Sequence, residues 1–126
     1  MKNKFCILIP ARLKSKRLPN KPLLSFKKKT LIEHTIDGIG KKFDTSDIYV
    51  FTDSNSAAKK ISNLISKKSI NVISINKKCI NGTERCSFGL KHLKKKYDGY
   101  LILSCDFIGV KWNLIKKIFS IFNDIK

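Results

Sequence analysis

The sequence predicts an α/β fold in which a mostly parallel sheet carries helices on both faces, and three observations lead to it. Short apolar or β-branched runs alternate with stretches of helical periodicity, as in a chain that crosses one sheet repeatedly. The first run, Cys6 to Ile9, has no polar interruption, as a strand buried on both faces requires. Polar or cationic residues follow the runs, so right-handed crossovers would gather the C-terminal ends of the strands on one rim.

Each element has its own signal. Pro10 ends the first strand, because proline has no N–H to give to a ladder. Thr30-Leu-Ile-Glu33 has the form of a capping box, and Ile32, Ile36, Ile39 and Phe43 continue at helical spacing, which predicts a helix over residues 30–43. Asp47 to Thr52 reads as a second strand, after which Asp53 or Ser54 can cap a helix carrying Ala57, Ile61, Leu64 and Ile65 on one face. Ile70 to Ile75 is a third strand. Asn81-Gly-Thr-Glu-Arg85 then opens a helix with Cys86, Leu90, Leu93 and Tyr97 along one face, and Gly99 to Ser104 is a fourth strand. A last helix, over residues 111–125, has an apolar stripe from Leu114 to Ile125 that is wider than one sheet face needs. Such a stripe would leave a patch for a separate C-terminal partner, a second copy or aggregation to cover.

At 126 residues, 42% of them apolar, the chain is one domain (1–126) with enough material for a core. No apolar run approaches a membrane span, and the stretch from Phe5 to Ile9 is too short for a signal peptide, so the expectation is a cytoplasmic protein. Cys6, Cys79, Cys86 and Cys105 form no Cys-x-x-Cys pair and are read as reduced core thiols. The formal charge of +18 would attract any polyanion. However, the lysines fall as pairs and triplets along the whole chain, so a nucleic-acid module is the least favoured function.

The loop after the first strand carries the chemistry. Arg12, Lys14, Lys16, Arg17 and Lys21 follow one another, with Pro19 and Pro22 restricting φ. A stiff cationic loop outside the carboxyl end of a strand suits a polyphosphate. No glycine precedes Gly38, so neither the Walker loop nor the dinucleotide fingerprint is present, and side chains must hold the phosphates. Arg supplies a planar fork for two oxygens and Lys a mobile point charge. The competing reading is a solvated basic loop with ordinary turn prolines.

Ile9-Pro-Ala-Arg-Leu-x-Ser-x-Arg-Leu-Pro-x-Lys-Pro-Leu23 resembles the signature loop of the sugar-acid cytidylyltransferases, and among them that of the CMP-Kdo synthetases. Asn20 stands where the family has Gly, and Asn best tolerates the left-handed backbone expected there. Asn81-Gly82-Thr83-Glu84-Arg85 is similar to the family's Ser-Gly-Thr-Asp/Glu-Arg. Asp106 matches the aspartate that binds magnesium in the family, although Ser104, Cys105, Phe107 and Ile108 replace the family's glutamine, glycine, glutamate and proline around it. The competing reading makes Asp106 a turn residue.

The resemblance implies a Rossmann-like fold of the nucleotide-diphosphosugar-transferase type, of which this chain matches only the N-terminal portion. It implies a nucleotide site built from Pro10, Ala11, Arg12, Leu13, Ser15, Arg17, Lys21, Gly82, Thr83 and Arg85, with Arg12 and Lys21 as the catalytic cations and Asp106 on Mg2+. The partners it implies are CTP and a sugar acid, Kdo or a relative, and the reaction makes CMP-Kdo for lipopolysaccharide. The isolated chain is expected to be inactive. The alternative is a catalytically incomplete binding or regulatory subunit, or a degenerate fragment of such an enzyme.

Overall fold

A computed structural model describes residues 4–40, 42–65, 69–105 and 110–125. The elements are β1 (Phe5–Pro10), β2 (Ser25–Phe26), β3 (Lys29–Thr30), α1 (Leu31–Ile39), β4 (Ile48–Thr52), α2 (Asn55–Leu64), β5 (Asn71–Ser74), α3 (Gly82–Gly89), β6 (Gly99–Ile102) and α4 (Trp112–Ile125). β5, β4, β1 and β6 form a parallel sheet in that order, with Ile7 opposite Ile48 on one side and Leu101 on the other. No described helix is long and apolar enough to cross a membrane.

The uninterrupted apolar run of β1 is explained by its central place. Ile7 and Ile9 face a core shared with Ile32 and Ile36 of α1, Ile61 of α2 and Ile115 of α4. Cys6 and Leu8 face a second core with Tyr49, Phe51 and Cys86, closed by α3. Helices therefore cover both faces, as the alternation predicts. Each fully buried aliphatic side chain in these layers is worth about 1.5–3 kcal/mol relative to exposure.

The expected capping box forms at Thr30, whose N–H reaches Glu33 Oε1 at 3.0 Å while the Glu33 N–H reaches Thr30 Oγ1 at 3.3 Å. α1 stops earlier than residue 43, because Gly40 leaves the helix at φ 83°. Phe43 reaches the core from the following loop instead, 5.7 Å from the Trp112 ring and 6.0 Å from that of Phe119. Between the two capping candidates for α2, the structure uses Ser54, whose Oγ accepts the Ala57 N–H at 3.0 Å. α3 ends at Gly89 and passes through a 3-10 turn, so Leu93 and Tyr97 pack from the irregular segment that follows and not from the expected helix face.

The β2–β3 hairpin has no signal in the sequence. Its turn residues Lys27 and Lys28 take φ of 48° and 70°, where Asn-Gly would be the usual choice. The α4 stripe is only partly covered, with Ile115 buried but Leu114, Ile118, Ile121 and Phe122 exposed.

Candidate functional site

The parallel sheet brings the C-terminal ends of β1 and β4 to one rim, and the loop after β1 is fixed there by backbone contacts. The Ala11 N–H donates to the Phe51 carbonyl at 2.8 Å, extending the ladder by one residue. Thr52 Oγ1 donates to the Ala11 carbonyl at 2.7 Å. The two oxygens of the Asp53 carboxylate accept the Leu13 N–H at 3.1 Å and the Lys14 N–H at 2.9 Å. The loop then closes on itself, because the Asn20 N–H donates to the Leu13 carbonyl at 2.7 Å. Asn20 makes this turn at φ 58°, the left-handed conformation expected of it.

On the neighbouring strand end, α3 starts close against β1. A Cβ on Gly82 would lie 2.9 Å from Pro10 Cγ, so only glycine permits this approach. Asn81 caps the helix by accepting the Glu84 N–H at 2.9 Å, and Glu84 Oε1 accepts the Ile80 N–H at 3.0 Å. Arg85 is buried, and its Nη1 donates to the Ile75 carbonyl at 2.8 Å and the Thr52 carbonyl at 3.4 Å. Its guanidinium therefore ties α3 to the ends of β4 and β5.

Two adjoining hollows open between these elements. One, of about 230 Å³, is lined by Arg12, Asn81, Gly82, Cys79 and Arg85. The other, of about 180 Å³, is lined by Arg12, Ser15, Lys21, Pro22 and Cys105. Both include Pro10, Arg12 and Ser104, so they are two lobes of one cleft with Arg12 at the junction. Arg12 is exposed, and its guanidinium makes no hydrogen bond or ion pair among the described residues. A larger hollow of about 510 Å³, beside Phe26, His34 and Lys111, contains none of the rim residues.

Of the residues the sequence singles out, Pro10, Arg12, Ser15, Lys21, Gly82 and Arg85 line the cleft. Ala11 and Leu13 are buried and anchor the loop, whereas Arg17 and Thr83 are exposed and line neither lobe. Asp106 lies outside the described residues. Among the described residues no three His, Cys, Asp or Glu side chains are grouped to hold a metal. Cys105 is buried, with its Sγ 3.9 Å from the Pro10 carbonyl oxygen.

The sequence places Asp53 on this rim and Asn81 in the second motif, but it predicts neither the bonds by which Asp53 ties the loop nor the place of Asn81 and Cys79 in the lining of the cleft. The available signal for Asp53 was its place directly after a strand, which the capping argument assigned to α2. Burial pushes the Asp53 carboxyl up, but hydrogen bonds from the Lys14 and Leu13 N–H groups outweigh it and hold the group below the usual carboxylate range. Burial pushes the Cys86 thiol up to about 12, against the opposing charge of Arg85, so this thiol stays protonated and inert.

The chain is 38% identical over 100 residues to the 3-deoxy-manno-octulosonate cytidylyltransferase of Wigglesworthia glossinidia brevipalpis, an alignment covering 79% of this chain and 39% of that protein. A solved CMP:2-keto-3-deoxy-manno-octonic acid synthetase complexed with CTP superposes with a TM-score of 0.77 at 26% identity, over 96% of this chain and 48% of that one. The manganese complex of Rv0371c from Mycobacterium tuberculosis H37Rv shares the fold alone, with a TM-score of 0.68 at 14% identity over 94% of this chain and 59% of its own. The chain thus spans well under half the length of the first curated relative and about half of the first solved one. The family model for cytidylyltransferases matches residues 6–122, nearly the whole of the sequence, and the chain belongs to the cytidylyltransferase family.

Proposed function

We propose that the two-lobed cleft binds CTP, and that the chain supplies the nucleotide-binding portion of an enzyme activity that joins CMP to Kdo or a related sugar acid. The observation that carries this reading is Arg12, unpaired among the described residues and shared by both lobes of a cleft in a cytidylyltransferase fold. The lobe with Arg12, Ser15 and Lys21 offers a guanidinium, an ammonium and a hydroxyl, which suits the triphosphate. In the lobe with Asn81 and Gly82, Arg85 keeps its charge but gives Nη1 to backbone carbonyls, and the Asn81 amide and the close approach of Gly82 suit the nucleoside.

In the reaction, the anomeric hydroxyl of the sugar acid attacks the α-phosphate in line and pyrophosphate departs. Arg12 and Lys21 stabilise the charge that develops on the phosphate oxygens, a contribution that is largely electrostatic and positional. Arg17, outside both lobes, would reach the triphosphate only from the rim of the loop, and Thr83 would meet the nucleotide from the first turn of α3. Asp106, by its match to the family motif, would hold Mg2+ beside the triphosphate, since a hard ion takes carboxylate and phosphate oxygens. Bound there, it would neutralise charge on the phosphates. The acceptor belongs to the same proposal, as do the cytoplasmic location and the supply of CMP-Kdo for lipopolysaccharide.

Titration calorimetry of the folded chain with CTP and MgCl2 tests the reading. Saturable heat with CTP, and weaker heat with ATP or GTP, is the expected result. A folded chain that gives no heat with CTP would overturn it.

A further inference from the structure

We infer that Asp53 is a positioning residue, which sets the backbone of the cationic loop and thereby the reach of Arg12 into the cleft. This rests on the reading of the cleft as a CTP site. Arg12 lies between two residues that the end of β4 holds in place. On one side, Ala11 is held by the Phe51 carbonyl at 2.8 Å and by Thr52 Oγ1 at 2.7 Å. On the other, Leu13 and Lys14 each give an N–H to a different oxygen of the same carboxylate, at 3.1 and 2.9 Å. Thr52 Oγ1 also lies 3.2 Å from Asp53 Oδ1, which joins the two clamps into one unit.

The geometry separates this role from the ordinary one for an aspartate after a strand. Capping of α2 is done by Ser54, so Asp53 is not needed there. Its hydrogen-bond partners all come from the loop, its own backbone or Thr52, and none is a cleft-lining side chain. Two adjacent N–H groups pointing at one carboxylate fix the peptide planes on the C-terminal side of Arg12, while its guanidinium is left exposed at the junction of the lobes. The carboxylate is charged at neutral pH, which strengthens both bonds over neutral ones. A misplaced phosphate ligand is costly, since about 1 Å of error can change a rate on the order of a hundredfold.

The test is a double-mutant cycle read by CTP affinity. Asp53→Asn is nearly isosteric but puts an NH2 group where one N–H must be accepted, and it should weaken CTP binding by about tenfold, the order of one hydrogen bond to a charged group. In an Arg12→Ala background the same substitution should cost less than about twofold, because the group it positions is gone. A role in stability alone would give equal losses in both backgrounds, and that result, or an unchanged CTP affinity in Asp53→Asn, would overturn the inference.

Amide exchange of the chain without ligand gives the second measurement. The Leu13 and Lys14 amides should be protected in the natural sequence and lose that protection in Asp53→Asn, with Ile7 to Ile9 unchanged. If CTP does not bind at all, the proposed function fails, and the exchange of the natural chain still decides on the anchor. Leu13 and Lys14 amides exchanging as fast as an unstructured peptide would reject it even if the variant did not fold.

Discussion

The two ends of the sheet use the same residue type in opposite ways. Asp47 immediately precedes β4 and Asp53 immediately follows it. At the first end, Asp47 Oδ1 accepts the Tyr97 hydroxyl at 2.7 Å and Lys95 Nζ at 3.0 Å, and the Tyr97 hydroxyl lies 3.1 Å from that of Tyr49. Tyr49 in turn accepts the Lys94 N–H at 3.0 Å. Side chains there satisfy one another and seal the sheet, and burial together with bonds to Tyr49 and Asp47 keeps the Tyr97 phenol protonated. At the second end, Asp53 accepts the backbone N–H groups of Leu13 and Lys14 and the hydroxyl of its neighbour Thr52, but no cationic side chain of the loop, so the loop backbone is fixed while Arg12 stays exposed. A polar cluster that closes on itself stabilises. One that ties mainly the loop backbone leaves Arg12 available for a ligand.

Asp47→Ala removes the acceptor of the half-buried Tyr97 hydroxyl and of the exposed Lys95 ammonium, and the cost of an unmade bond is about 1–3 kcal/mol for a buried group. The expected result is a loss of about 1–2 kcal/mol in urea unfolding, while the protein that remains folded binds CTP as before. A large fall in CTP affinity without a shift in the unfolding midpoint would mean that the two ends are not separate in function.

Arg12→Ala is the reverse experiment. It removes an exposed side chain, so the unfolding midpoint should correspond to a change within about 0.5 kcal/mol. CTP binding should weaken by about 1.5–3 kcal/mol, the range for hydrogen bonds to charged groups. If instead the variant binds CTP normally, Arg12 is not the shared contact of the two lobes.

This division also accounts for what was legible in the sequence. β1, β4 and α2 were readable because each carries a local period: Cys6 to Ile9 without a polar residue, and Ala57 and Ile61 one turn apart. The Thr30 and Glu33 box was readable for the same reason, since its partners are three residues apart. The bonds that build the rim join residues far apart in sequence, such as Leu13 to Asp53, and no spacing rule points to them. Arg85 could be placed at the site by its motif, but its commitment to the Ile75 carbonyl depends on how α3 lies over the strand ends. The end of α3 was misjudged because Leu90 and Leu93 keep the helical period after the helix has given way to a 3-10 turn. Tyr97 continues that apparent period, yet it serves the opposite end of the sheet, through Asp47.

Gly82→Ala tests the wall of the cleft itself. The new methyl would meet the Pro10 ring at 2.9 and 3.0 Å, and a proline ring at a strand end cannot swing aside as a flexible side chain would. α3 must move slightly away from β1, which costs about 1 kcal/mol by the low end of overpacking effects, partly offset by the better helix propensity of alanine. CTP affinity should fall by several-fold, on the order of 1 kcal/mol, if the first turn of α3 forms one wall of the nucleotide lobe. A fall in stability with unchanged affinity would assign Gly82 to packing alone.

The smallest expected effect concerns the charge that belongs to neither end of the sheet. The formal +18 is distributed over both layers: Lys59, Lys60, Lys116 and Lys117 lie on α2 and α4, and Lys91 and Lys94 lie on and after the turn that follows α3, across the sheet. A nucleic-acid reader needs its cations along one face, whereas a general excess produces only attraction that salt removes. Replacing Lys116 and Lys117 by Ala should therefore change CTP affinity by less than about twofold at physiological salt, where charges more than about 8 Å away are largely screened. Binding to random duplex DNA should be weak and should collapse between about 50 and 200 mM salt, as counterion release demands, while CTP binding through a few contacts in the cleft should decline less. Fluorescence anisotropy with labelled DNA, run beside CTP calorimetry over the same salt series, compares the two directly. Sequence-selective DNA binding that persists at physiological salt would mean that the distributed lysines form a functional surface, and that the cationic loop is one part of it.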